Sequence, residues 1–330
     1  MSPLPDTQHW HILGAGAIGS LWAAYAYKAG RPATLIMRDS ATLAAYQQTG
    51  GFTTQLRSGT EVLPLPAACP EQIIQASTGA ASTGETISAL LITTKAQHTL
   101  DALNAVASAL ADSPLLVLLQ NGMGVAEKVQ QLYPQATLLQ ASTTEGAYRK
   151  GPFSVVHAGQ GQTLLGQPQA ATPTRTHHYL DAASQKQIAH SLSAAPLKVL
   201  VSDNIEAVLW RKLAVNSAIN PLTVKYHCRN GELLDNPVAA QDMADLVEEI
   251  VQLSQLLGRE GWVEDLLPQV RQVAADTALN RSSMLQDIEA GRATEIDYIT
   301  GYLCRLGESL GLQLKHNMAL LEIVRHHHPG

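Results

Sequence analysis

The chain lacks an excess of positive charge. Its 22 Lys and Arg are outnumbered by 28 Asp and Glu, giving a formal net charge of −6. A nucleic-acid binder needs a basic face, so no nucleic-acid partner is expected. Any anionic ligand must instead find a locally positive pocket set against the field of the whole protein. Cysteine is also scarce: Cys69, Cys228 and Cys304 stand far apart. No pair has metal-ligand spacing and the odd count builds no disulfide framework. A reducing cytoplasm and no bound metal are the expectation. No apolar run reaches the roughly 18 residues of a membrane span, so no membrane partner is expected. Residues 1–7 are polar and contain prolines where a secretory leader would place an apolar stretch. Internal repeats are missing, and the run His326-His327-His328 reads as a solvated tail rather than a metal site.

What is present is enough apolar residue, 45% of 330, to bury sizeable cores. The length fits two domains of about 100–200 residues each. The first half alternates short apolar runs with helical stretches: strands at 9–13, 33–37, 87–93, 115–119 and 136–141, with a helix at 18–29 following the first. Strands separated by helices pair in parallel through helical crossovers, the pattern of a doubly wound, Rossmann-like α/β sheet. Residues 153–166, β-branched and interrupted by Gly159 and Gly161, read as a hairpin at the sheet edge. Residues 77–85 and 167–176 read as loops. Beyond about Asp203 the period changes, and 205–220, 238–259, 266–291 and 293–311 carry helical spacing. Residues 1–203 are therefore expected to form the nucleotide-binding domain, and 204–330 an all-helical domain for substrate and catalysis.

Gly14-Ala15-Gly16-Ala17-Ile18-Gly19 matches the dinucleotide fingerprint, with an apolar strand before it and a helix after. Gly14 permits the tight turn, Gly16 admits the pyrophosphate to the backbone, and Gly19 lets the helix pack closely on the strand. The N–H groups and dipole of that helix receive the phosphates. At the end of the second strand stand Arg38 and Asp39. A guanidinium suits the 2′-phosphate of NADP in charge and shape, which favours NADPH/NADP; Asp39 binding a ribose hydroxyl is the alternative. Lys95 and Asn121 close two further strands, where ligands bind in doubly wound sheets. A solvated lysine and a plain Asn-Gly turn are the competing readings.

Lys212, Asn216 and Asn220 recur every four residues in an otherwise apolar helical stretch, so they form one row on one face. Buried amides need partners, which makes the row a candidate cleft lining. It suits carbonyl reduction: a lysine ammonium stabilises and protonates the developing alkoxide, and asparagines orient a polar substrate. Ser282 and Ser283 read as a polar helix face, and Glu295 and Asp297 as surface acids.

Taken together, GAGAIGSLW at 14–22, NGMG at 121–124, WRKLAVNSAINPLT at 210–223, NGEL at 230–233, SSMLQD at 282–287 and TEIDYI at 294–299 resemble the ketopantoate reductases nearly end to end. These are NADPH-dependent enzymes of pantothenate biosynthesis. The resemblance implies that Lys212 is the proton donor and that Asn121 lies near nicotinamide and substrate. It implies that Asn216, Asn220 and Ser283 bind substrate, with Asn230 and Asn280 as further candidates. Glu295 resembles a residue that orients ribose or lysine, Arg38 and Lys95 resemble cofactor contacts, and the backbone near Ala147 is implied to touch the cofactor. The implied partner is a small-molecule 2-oxoacid, and the implied assembly a monomer or homodimer. Glu145 departs from the family pattern, and its side chain is expected to point away from the site. A related reductase acting on a different 2-oxoacid is the alternative, and a non-catalytic nucleotide sensor a more distant one.

Overall fold

A computed structural model describes residues 8–78, 86–168 and 179–327. Most of the two loops expected at 77–85 and 167–176 lies outside these residues, as do residues 1–7 and His328. The chain divides into two compact units, Met1–Gln120 with Val125–Ile205, and Asn121–Gly124 with Glu206–Gly330.

The first unit contains β1 (Trp10–Leu13), β2 (Ala33–Ile36), β3 (Phe52–Leu56), β4 (Gly59–Leu63), β5 (Ala67–Ala68), β6 (Ile87–Ile92), β7 (Leu110–Leu118), β8 (Thr137–Thr143), β9 (Gly146–Gly151), β10 (Ser154–Gly159), β11 (Thr163–Gly166) and β12 (Val199–Val201). Its helices are α1 (Ala17–Lys28), α2 (Ser40–Gln48), α3 (Pro70–Thr78), α4 (Thr99–Asn104), α5 (Ala126–Leu132) and α6 (Ala182–Leu192). Eight strands form one sheet in the order β12-β11-β8-β7-β6-β1-β2-β5. Its neighbours are parallel except β8 and β11. Leu90, Leu116, Val117 and Leu139 are fully buried, as in strands covered on both faces. The strand order reverses at β1, flanked by β2 and β6, and ligands of open α/β sheets bind outside the carboxyl ends at such a point.

A second sheet of order β4-β3-β10-β9 was not expected from the sequence. It accounts for the composition of α1, whose residues 19–25 are all buried. A helix apolar on every side needs cover on every side. Here α1 packs on β1 and β2 of the large sheet and on β9 and β10 of the small one. The hairpin expected over 153–166 is corrected: β10 pairs with β9 and β3, whereas β11 pairs with β8 and β12. The chain changes sheets at Gly161, where a Cβ would overlap the Thr144 backbone. The actual hairpin lies one strand earlier, between β9 and β10, with Phe153 in its turn at φ +47°.

The second unit holds α7 (Ile205–Tyr226), α8 (Glu232–Asp235), α9 (Pro237–Leu256), α10 (Leu266–Asp276), α11 (Ser283–Glu289), α12 (Thr300–Ser309) and α13 (Lys315–His326). Its own core centres on Trp210, Leu213, Met243, Ile250, Leu285 and Leu303. Two stretches expected as continuous helices are broken. Residues 266–291 divide into α10 and α11, because the Ser282 hydroxyl accepts from the Leu285 N–H at 3.0 Å and starts a new helix. Residues 293–311 begin with a short 3₁₀ turn, Ile296–Tyr298, before α12. Conversely, α7 continues six residues past Asn220 with Pro221 inside it. Leu222 and Val224 beyond the proline are buried, and their packing offsets the hydrogen bond it cannot make.

Candidate active site

Three glycines of the first turn have three different physical roles. Gly14 sits at φ +110°, a conformation side chains resist, and a Cβ there would come within 2.9 Å of the Thr94 nitrogen. At Gly19 a Cβ would overlap the Gly14 carbonyl oxygen and the Thr93 hydroxyl, so α1 can approach the sheet only without one. At Gly16, by contrast, a Cβ would meet nothing within 4 Å. The protein itself therefore does not demand this glycine; the space in front of it suits a ligand that must approach the backbone. Gly16 is the N-cap of α1, with no side-chain cap and no acidic residue in the first turn. Ala17 opens the helix, while Ala15 and Ile18 pack on the core. Free N–H groups, a favourable dipole and open space together fit a dinucleotide pyrophosphate.

At the end of β2 Arg38 and Asp39 have different surroundings. Asp39 caps α2: its Oδ1 accepts from the Thr42 N–H at 2.7 Å and the Thr42 hydroxyl at 2.6 Å. Its other oxygen accepts from Arg38 Nε at 2.8 Å. The Thr42 hydroxyl and the Arg38 guanidinium hold the carboxyl down at about 2. Asp39 is committed to the helix end, whereas Arg38 is exposed with its guanidinium tip extending to solvent. Lys95 is half-buried at the end of β6, as the N-cap of the 3₁₀ turn Ala96–His98. Ala147 is half-buried on β9, opposite His157. Glu145 turns into the first unit, where its carboxylate accepts from His157 Nε2 at 2.8 Å, and the far ring nitrogen meets the Tyr25 hydroxyl at 2.8 Å.

In the second unit Lys212, Asn216 and Asn220 lie along one face of α7, all half-buried, while Leu213, Ala214, Ser217 and Ala218 on the other side are buried. Burial lowers the Lys212 ammonium to about 8, and the nearby Glu295 carboxylate opposes that fall. Asn121 joins the same group, its amide donating to Glu295 Oε2 at 3.4 Å. The loop carrying it is seated by backbone: Met123 N–H donates to the Tyr298 carbonyl at 2.9 Å, and Gly122, at φ +81°, lies so close to Tyr298 that a Cβ would not fit. The result is a lysine, a carboxylate and three amides gathered in one unit.

The outer candidates separate. Ser283 is exposed at the first position of α11, while its neighbour Ser282 is buried and pairs with the Thr223 hydroxyl at 2.6 Å. Thr223 donates to the Asn220 carbonyl at 2.7 Å, so the start of α11 is fixed to the end of the asparagine row. Thr223 was not singled out from the sequence, and Ser282 was read only as part of a polar helix face; a serine ahead of the apolar Met284-Leu285 was the available capping signal. Asn230 is buried, donating its amide to Thr277 at 2.9 Å and its backbone N–H to the Asn280 carbonyl at 3.0 Å. Its Oδ1 has no hydrogen-bond partner among the described residues. Asn280 itself is exposed. His326 and His327 direct Nδ1 at the carbonyls of Glu322 and Ile323. Among the described residues no cluster of His, Cys, Asp and Glu could hold a metal, and no helix is long and apolar enough to cross a membrane.

A dinucleotide turn at the switch point of a parallel sheet, followed by a helical unit bearing a lysine–asparagine row, defines a nicotinamide-dependent oxidoreductase of the Rossmann type. More particularly, the chain belongs to the ketopantoate reductase PanE/ApbA family: residues 10–170 match that family and 204–328 match its C-terminal counterpart. It is 39% identical over 236 residues to a 2-dehydropantoate 2-reductase of Shigella flexneri, covering 72% of this chain and 73% of the relative. It is 34% identical over 314 residues to that of Vibrio cholerae serotype O1, covering 95% and 96%. A crystal structure of a PanE/ApbA family ketopantoate reductase from Ralstonia eutropha JMP134 superposes with a TM-score of 0.80 at 26% identity, covering 97% of this chain and 98% of that one.

Proposed function

We propose that this protein reduces 2-dehydropantoate to (R)-pantoate with NADPH, a step toward pantothenate and coenzyme A, in the cytoplasm. Family membership supports the reading, and the curated relatives bear the name of that reaction. The observation that carries it is Lys212, lowered to about 8, in one row with Asn216 and Asn220 and beside Glu295.

The turn from Gly14 to Gly19 would hold the pyrophosphate, Arg38 the 2′-phosphate, and Lys95 and the Ala147 backbone further parts of the cofactor. Bound NADPH supplies the hydride to the substrate's carbonyl carbon. As charge develops on the carbonyl oxygen, Lys212 donates a proton to it from Nζ. A donor with a pKa near the working pH is well matched to that task. Glu295 keeps enough of the lysine protonated near neutrality and anchors the Asn121 amide. Asn216 and Asn220 orient the substrate's polar groups, with Ser283 at the end of the row; Asn230 and Asn280 brace the loops around it. The test is NADPH oxidation with 2-dehydropantoate compared with 2-oxoisovalerate, pyruvate and oxaloacetate. A clear preference in kcat/KM for 2-dehydropantoate is expected. Preference for another member of the panel would reassign the substrate, and no oxidation with any of them would refute the reading.

A further inference from the structure

Thr99 is a fully buried residue with no part in the chemistry above. Its hydroxyl lies 3.1 Å from the Lys95 carbonyl, 2.8 Å from the Gln120 amide nitrogen and 3.0 Å from the Thr94 hydroxyl. A hydroxyl has one proton and two lone pairs. With the proton on the Lys95 carbonyl, Gln120 and Thr94 donate into the lone pairs and the group is saturated. Its partners come from separate places: Thr94 and Lys95 follow β6, Gln120 follows β7, and Thr99 opens α4. The same loop grips the dinucleotide turn, because the Thr93 hydroxyl lies 3.1 and 2.9 Å from the carbonyl oxygens of Leu13 and Gly14 and donates its one proton between them.

We propose that Thr99 is a positioning residue for the nucleotide site. Loops at strand ends are ordinarily mobile, and a ligand that must order them binds more weakly. One saturated buried hydroxyl removes that freedom from the loop after β6, and so fixes the backbone that carries Lys95 and braces Gly14. Thr99 touches no ligand; it acts through Lys95 and Thr94. The inference rests on reading this turn as the NADPH site.

The test uses the full chain with Thr99→Val, which keeps the shape and removes all three bonds, and Thr99→Ser, which keeps the hydroxyl. NADPH affinity is titrated by fluorescence, and KM, kcat and Tm are measured beside it. Thr99→Val should raise the NADPH Kd and KM about five- to twentyfold, the loss expected for one or two hydrogen bonds. kcat at saturating NADPH should stay within about twofold, the range in which a change carries little free energy. Thr99→Ser should restore the affinity, and Gln120→Leu should give a smaller rise. Unchanged affinity in Thr99→Val overturns the proposal. So does a joint fall of affinity, kcat and Tm that serine fails to restore. If the valine variant does not fold, Gln120→Leu and Thr94→Val decide, and unchanged NADPH affinity in both overturns the role. If the unaltered protein binds NADPH but reduces no oxoacid, the proposed function fails while the affinity comparison still judges Thr99.

Discussion

At Lys212 the sign of the pH dependence follows from which form reacts. With the proposed donor in its ammonium form, lowered by burial to about 8, kcat/KM for reduction should be flat below that pH and fall as pH rises through it. Glu295 opposes the lowering; Glu295→Gln should therefore move the falling limb to lower pH, and a limb that stays in place would show that the carboxylate does not act on the lysine. Lys212→Ala should lower kcat by about 10²–10⁴-fold with NADPH affinity nearly unchanged. Asn216→Ala and Asn220→Ala should chiefly raise the oxoacid KM, since orientation is needed in ground and transition states alike. Arg38→Ala should weaken NADPH by about 1.5–3 kcal/mol and NADH far less, because only the former offers a 2′-phosphate to a guanidinium. Equal losses in titrations of the two cofactors would mean that Arg38 does not read the phosphate.

Among the elements, α1 offers a contrast between two glycines three residues apart. Gly19→Ala places a methyl group against the Gly14 carbonyl and the Thr93 hydroxyl, so it should lower both Tm and NADPH affinity. Gly16→Ala enters open space in an extended conformation that any residue adopts, so Tm should hold while NADPH affinity drops. Thermal melts with NADPH titrations separate the two; equal Tm losses would mean that Gly16 also serves the fold. The start of α11 is a second junction. Ser282→Ala removes the helix cap and one hydrogen bond to the buried Thr223 hydroxyl, and should cost about 1–3 kcal/mol of stability. The oxoacid KM should rise with it, because Ser283 is placed by this cap. Urea unfolding and steady-state kinetics check the pair of effects.

For the whole molecule, each unit has its own apolar core. A ligand that binds the native state alone stabilises it, by about 2.7 kcal/mol at one hundred times its Kd. NADPH should therefore raise the melting temperature. Its hydrogen-exchange protection should concentrate in the first unit, around 14–19, 38 and 93–95, where free N–H groups and strand-end loops meet the ligand. Protection confined to the second unit would place the cofactor elsewhere. In Arg38→Ala the stabilisation at a fixed NADPH concentration should shrink by the affinity lost.

Local rules in the sequence reached far. Strand–helix alternation, the glycine spacing from 14 to 19 and the four-residue recurrence of Lys212, Asn216 and Asn220 depend only on periodicity and on what a missing Cβ permits, and each of these patterns is present in the folded chain. The sequence alone also gave Arg38 and Asp39 as rivals, because composition does not say which side chain is already engaged. Tertiary structure engages Asp39 in the cap of α2 and in a hydrogen bond from Arg38 Nε. It also decided where 153–166 goes, since strand partners are chosen by distant residues: β10 joins β3, about a hundred residues earlier, and β11 joins β8. Helical period ran straight through 277–282, because a break made by one buried hydroxyl leaves no gap in an apolar pattern. The same holds for Asn121 beside Glu295, and for Glu295 beside Lys212. These are neighbours across 174 and 83 positions of chain, and only the packing of 121–124 against Tyr298 brings the first pair together.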